Sequence, residues 1–204
     1  MKQDLTVLQK KIKGDTTFLL VSGIILVFVI GFYVTDIFQY STMTDSAFTI
    51  QQVNTDTGMQ NYLYINGEQQ YPIDYNYYGR LNEEGSMEIR KLLISENIIN
   101  TVRSLLMMII LFTLTKIFKD LKAKQSPFYH KNVKRLRMVA LVSMLFAVLP
   151  PTIDFVFSLV IFNFAIFNAT SLNFYIIFIS VVIGMIAEVF NYGSVLQKDM
   201  DQIA

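Results

Sequence analysis

Apolar residues in this chain fall in four long blocks rather than at alternate or every-third positions. Phe18–Tyr33 opens the first block, which extends to Phe38. The others cover about Ile98–Phe118, Met138–Phe162 and Leu172–Leu196. Each is close to the roughly 20 residues that a helix needs to cross ~30 Å of hydrocarbon. A buried helix of a soluble protein is the plainer reading of any single block. Four of them, each with polar or charged flanks, predict transmembrane helices at 17–38, 98–118, 138–162 and 172–196.

The segments between them differ in kind. In the polar arm 1–16, Leu5, Leu8 and Ile12 recur at helical spacing among lysines. That pattern predicts an amphipathic helix lying on the membrane surface. Segment 39–97 is strand-like over most of its length: Phe48–Val53 alternates, and Asn61–Ile65 runs into Asn66-Gly67. Asn-Gly tolerates the positive φ angles of a tight hairpin turn, so Gln70–Asp74 is the return strand. Pro72 puts that strand at a sheet edge. From Glu83 the pattern turns helical and leads into the second span. In 119–137, Lys119–Lys124 continue the second helix, Ser126-Pro127 interrupts it, and the third restarts near His130–Asn132. Residues 163–171 are a short loop containing the tripeptide Asn168-Ala-Thr170, a glycosylation sequon by pattern. Residues 197–204 are a tail. The fold class is an all-α integral membrane protein of four transmembrane helices, with a small β-rich extracytoplasmic insertion between the first and second.

Charge fixes the expected orientation. Basic residues gather at Lys2, Lys10, Lys11 and Lys13, and again at Lys116, Lys119, Lys122, Lys124, Lys131, Lys134, Arg135 and Arg137. Segment 36–97 holds only Arg80, Arg90 and Lys91 against nine carboxylates. Short Lys/Arg-rich loops stay in the cytoplasm. Both termini and the 119–137 loop are therefore expected inside the cell membrane and 39–97 outside. Ordinary contact with anionic lipid accounts for most of that basic charge. Of 204 residues 53% are hydrophobic, and the net charge of +1 hides this asymmetry of sides. The absence of cysteine excludes disulfides and thiolate metal sites, and the single histidine, His130, excludes a His-Glu-x-x-His zinc centre. No nucleotide-binding or catalytic motif is present, so no cofactor, metal or enzymatic activity is expected, and no direct contact with nucleic acid.

Apart from Asp36 and Lys116, two residues from their span ends, three charged residues fall inside the predicted spans: Arg103, Asp154 and Glu188. Such residues are costly in hydrocarbon and are functional candidates by default. Depth at ~1.5 Å per residue pairs Arg103 with Asp154 and brings Lys116 within reach of Glu188. The plainer reading is that these pairs fix helix register. Pro150-Pro151 removes two backbone donors in the middle of the third helix, where a kink is expected. On the fourth helix Ser180, Gly184 and Glu188 recur at i, i+4, i+8. Small residues permit close helix approach, so this face is expected to pack inward. Six tyrosines between Tyr62 and Tyr78 are either a ligand face or an interfacial belt with strand packing.

Two stretches carry a resemblance. Ser126-Pro-Phe-Tyr-His-Lys-Asn-Val-Lys-Arg-Leu-Arg137 precedes the third helix, and Glu188-Val-Phe-Asn-Tyr-Gly-Ser-Val-Leu-Gln-Lys-Asp-Met-Asp201 closes the fourth. Together they resemble a bacterial family of four-span membrane proteins, domain of unknown function 2975, in a Pro-Phe turn followed by Asn-x-x-Arg-Leu-Arg and in Glu-x-Phe-x-x-Gly followed by Leu-Gln. This chain departs from the family's usual Ser or Thr cap, having Tyr129 and His130 there. Such proteins are often encoded beside a small helix-turn-helix regulator. The resemblance therefore implies a non-enzymatic signalling or regulatory membrane protein that binds or sequesters such a regulator. Its partner or lipid surface would be Lys119, Lys122, Lys124, Lys131, Lys134, Arg135 and Arg137. The residues leave two other readings open. One is a transporter or transporter accessory subunit with Arg103, Asp154 and Glu188 as its polar path. The other is an immunity or stress-protection protein.

Overall fold

The computed structural model describes residues 2–55, 58–73, 89–122, 128–162 and 172–203. Four long helices, α1 (Lys2–Thr42), α2 (Ile89–Lys122), α3 (His130–Phe162) and α4 (Phe174–Ile203), frame a sheet of β1 (Phe48–Thr55), β2 (Gly58–Ile65) and β3 (Glu68–Ile73), which lies between α1 and α2 in sequence. Each helix is long and apolar enough to cross a membrane. The arm and the first span form a single 41-residue helix, with no break where the polar residues give way to apolar ones. Tyr75, Tyr77, Tyr78, Glu83, Ser126-Pro127, Lys124 and the 163–171 loop lie outside the described residues.

α1 ends where hydroxyl side chains begin to compete for its backbone. Ser41 Oγ donates to the Ile37 carbonyl at 2.6 Å and Thr42 Oγ1 to Gln39 at 2.8 Å. Ser and Thr side chains offer such local alternatives to the helical ladder. A single 3-10 turn, Asp45–Ala47, then delivers the chain into β1.

By packing, the chain forms two units: 1–31, 102–151 and 169–204 in the first, and 32–101 with 152–168 in the second. In the second unit the sheet is an antiparallel meander of order β1-β2-β3. Asn66 and Gly67 take φ of 53° and 81°, as the hairpin turn from β2 to β3 requires. β3 is an edge strand, and Pro72 sits opposite Tyr62 beside an irregularity between Tyr62 and Tyr64. An edge strand tolerates proline because one row of its backbone donors has no ladder partner to lose. One face of the sheet, Phe48, Leu63, Ile65 and Ile73, closes on Leu93 of α2. Tyr40 and Met43 of α1 and Ile89 of α2 complete this small core. The helix ends thus supply the apolar surface that so small a sheet cannot provide by itself.

In the first unit most buried positions are small or hydroxylated, Val133, Val139, Val142, Ala147 and Ala187 beside Ser104, Thr113, Thr115, Ser143 and Ser180, with Leu106 and Asn132 the larger exceptions. Helices in lipid gain little from burying Leu against Leu, and small residues let their backbones approach. Three of these hydroxyls are satisfied within their own helices. Thr113 donates to Ile109, Thr115 to Leu111 and Ser180 to Ile176, at 2.6–2.8 Å. α3 remains helical through Pro150 and Pro151, both buried, and the division between the units falls directly after Pro151.

Leu63 is fully buried at the centre of the sheet's apolar face. Truncating a leucine in such a site costs about 2–5 kcal/mol. Leu63→Ala should therefore open the sheet while the helices hold. Limited proteolysis in detergent should show new cleavage within 48–73 and an unchanged helical circular-dichroism signal.

Candidate functional site

Polar side chains gather at two places, one in each unit. In the second unit, Arg90 in the first turn of α2 grips the chain leaving α1. Its Nε lies 2.7 Å from Asp45 Oδ1, and an η nitrogen donates to the Met43 carbonyl at 2.8 Å. The face of the sheet away from its core carries Tyr62 and Tyr64, half-buried, paired across to Gln51 and Thr49. Tyr64 Oη donates to Gln69 Oε1 at 3.3 Å. Tyr71 sits at the edge strand, and partial burial, with the nearby carboxylates of Glu96 and Asp36, pushes its phenol up to about 12. It therefore stays neutral across the physiological range. Tyr62, Tyr64 and Tyr71 of the six tyrosines are thus placed on or beside the sheet.

In the first unit, the end of α2 and the start of α3 are clasped by Arg135. One of its η nitrogens lies 2.5 Å from Asp120 Oδ2, 2.9 Å from Asn132 Oδ1 and 3.2 Å from the Lys116 carbonyl. Both charged partners are about three-quarters buried. The first hydrogen bonds of α3 run from the Asn132 and Val133 amides to the Tyr129 carbonyl, at 2.7 and 3.3 Å, which puts Tyr129 at the N-cap position. Phe128 packs on α4: its ring centroid is 5.2 Å from that of Phe190. A Cβ placed on Gly193 would come within 2.6 Å of the Phe128 ring. Gly193 is therefore the notch that lets the ring lie flat on α4.

Several sequence expectations change here. Glu188 is bound by Arg137 of α3, through Nε at 2.8 Å and an η nitrogen at 2.9 Å, and not by Lys116. Arginine's planar fork matches both carboxylate oxygens, which a lysine ammonium cannot do. Glu188 is also exposed, so it does not continue the inward face of α4. At 100° per residue, i+8 lies about 80° away from Ser180, whereas i+7 returns to within about 20°. The buried stripe is accordingly Ser180, Gly184 and Ala187, with a Cβ at Gly184 falling 3.9 Å from that of Ala140 on α3.

The basic surface is smaller than the residue count implies. Arg135 and Arg137 are engaged within the chain, leaving Lys119, Lys131 and Lys134 exposed. Lys131 Nζ stands 5.6 Å over the Tyr129 ring. The Lys122 side chain, like Lys124, is outside the described residues. Arg103 is exposed on α2 and Asp154 half-buried on α3, each with a polar or electrostatic interaction. Arg103 belongs to the first unit and Asp154 to the second. Among the described residues no three acidic or histidine side chains cluster in a way that could hold a metal ion. The Phe128–Gly193 contact, the Arg135 clasp and the Arg90 clasp were not anticipated. Their only sequence signal is an arginine in the first turns of a helix or a glycine within one.

Two substitutions test this geometry. Gly193→Val should expel the Phe128 ring, and because the chain has no native cysteine, a single cysteine at Tyr129 then reports the change as several-fold faster thiol labelling. An exposed ion pair is worth little in water, but Glu188 lies about 21 Å along α4 from Phe174, within a helix long and apolar enough to cross a membrane, where an orphaned charge is costly. Either Arg137→Glu or Glu188→Arg alone should therefore lower the yield of folded, membrane-inserted protein. The double exchange should restore it.

No protein-family model matches the chain, and no curated protein and no solved structure matches it either.

Proposed function

We propose that the protein is a non-enzymatic membrane regulator, with both termini and the 119–137 tip in the cytoplasm and the sheet outside. The sheet senses an external condition and the tip binds a cytoplasmic partner. The observation that carries this reading is the attachment of α2 at both ends. Near its start Arg90 holds the chain that feeds the sheet, and near its end Asp120 holds Arg135 at the tip. A displacement of the sheet is passed to α2 through one clasp, and α2 passes its own displacement to the tip through the other. Rigid elements held by polar clasps are the kind of part from which two-state transmission is built.

The asymmetry of Lys and Arg supports the orientation. The resemblance to the domain of unknown function 2975 family, which rests on the residues around 126–137 and 188–201, supports a small helix-turn-helix regulator as the partner. Arg135 and Arg137 are engaged within the chain, and Lys131 and Lys134 are exposed together at the first turns of α3, which supports these two lysines as the surface for such a partner. The transport reading is weakened by Glu188, which Arg137 binds through both carboxylate oxygens.

Lys131→Gln with Lys134→Gln should release the partner recovered by affinity purification from crosslinked native membranes. The variant should insert as the parent does, with reporter fusions confirming the termini inside. Unchanged recovery of every co-purifying protein sinks this reading.

A further inference from the structure

Between α1 and α2, within the first unit, lies an apolar groove of about 130 Å³. Leu20, Gly23 and Val27 line it on α1, and Leu111, Phe112 and Thr115 on α2. Thr115 is the one polar side chain among them, and its hydroxyl is turned back on its own helix, 2.8 Å from the Leu111 carbonyl. No heavy atom lies within 4 Å of the position that a Cβ on Gly23 would occupy. Leu20 and Phe112 are about half exposed, so the groove opens sideways from the helix pair. A cavity of about 150 Å³ lined by Leu, Ile and Phe stays dry and admits a six-carbon apolar group. This groove has that size and lining.

One end of the groove is cationic. The end of α1 (Tyr40, Met43) meets the start of α2 (Ile89, Leu93) under the sheet, while Leu20–Val27 of α1 meets Leu111–Thr115 of α2 at the groove. The two helices therefore run in opposite directions, and the start of one lies toward the end of the other. Lys13 is seven residues before Leu20 on α1, and Lys116 and Lys119 are four and seven residues after Phe112 on α2. At helical spacing each falls on the face that lines the groove. All three are exposed, and none forms an ion pair with a described carboxylate. Of the nearby acidic residues, Asp15 is half-buried on α1 and Asp120 is already held by Arg135.

We propose that this groove binds an anionic phospholipid, with one acyl chain lying over Gly23 between Leu20 and Phe112 and the phosphate at Lys13, Lys116 and Lys119. Size selects the chain. A packed helix needs an axis-to-axis distance of about 8–10 Å along a continuous ridge, whereas the groove holds a slender hydrocarbon. Charge selects the headgroup, because flexible lysines serve phosphate as point charges. This site stands on the membrane-crossing character of the helices and not on the regulatory reading. The lysines involved differ from Lys131 and Lys134, so either assignment can fail without the other.

The chain has no tryptophan, so Phe112→Trp gives a single indole inside the groove, with Leu20→Trp as the substitute reporter should the first fail to insert. Met185→Trp, on an exposed position of α4, samples ordinary boundary lipid. Each is reconstituted in phosphatidylcholine vesicles containing acyl-brominated phosphatidylglycerol or, at the same mole fraction, acyl-brominated phosphatidylcholine. The groove reporter should be quenched several-fold more strongly by the anionic lipid, and the Met185→Trp reporter equally by both. Raising the salt should narrow the preference, since exposed charges are screened. Lys13→Gln, Lys116→Gln and Lys119→Gln together should abolish it. Gly23→Leu should fill the groove and lower quenching by both lipids. Equal quenching by the two lipids, or a preference that survives loss of the three lysines, overturns the site. So does an unquenched groove reporter beside a quenched Met185→Trp, which would mean that protein, a second copy or a partner helix, covers the groove.

Discussion

A segment that crosses hydrocarbon must satisfy every backbone donor and acceptor within itself. Four helices of this chain are long and apolar enough to meet that condition, and only Pro150 and Pro151 in α3 withhold a backbone donor from the ladder. The same constraint fixes where other structure can form. A three-stranded sheet with an open edge has unpaired backbone groups, so it needs a polar medium on one side and an apolar surface on the other. It finds the apolar surface on the ends of α1 and α2, through Phe48, Leu63, Ile65, Ile73 and Leu93.

Arginine chemistry then ties these parts together. Arg90, Arg135 and Arg137 each hold a carboxylate that is remote in sequence, in Asp45, Asp120 and Glu188 respectively. A guanidinium carries charge and several donors on one plane, so Arg90 ion-pairs with Asp45 while an η nitrogen donates to the Met43 carbonyl. The basic character of the 119–137 segment is thus split between two tasks. Its arginines hold helices to one another, and its described lysines, Lys119, Lys131 and Lys134, are exposed.

The two regions differ in what they offer a ligand. The sheet presents tyrosine phenols, Tyr71 among them with its phenol pushed up by burial. The α1–α2 groove presents hydrocarbon with lysines at one end. Between them runs α2, which takes part in both.

The sequence by itself determined the four helices, because 20-residue apolar runs have no other stable form in lipid. It also determined the hairpin at Asn66-Gly67, because few residue pairs accept two positive φ angles, and the edge position of Pro72, because proline cannot complete a ladder. Contacts between helices were decided only by the tertiary structure. Spacing says which residues share a face, but the azimuth of each helix is set by its neighbours, and an 80° drift over eight residues was enough to turn Glu188 outward, where Arg137 receives it. The same limit hid the seat of Phe128 on Gly193 and the groove at Gly23. A glycine reads alike in sequence whether an aromatic ring covers it or nothing does, and only the approach of a second helix distinguishes the two.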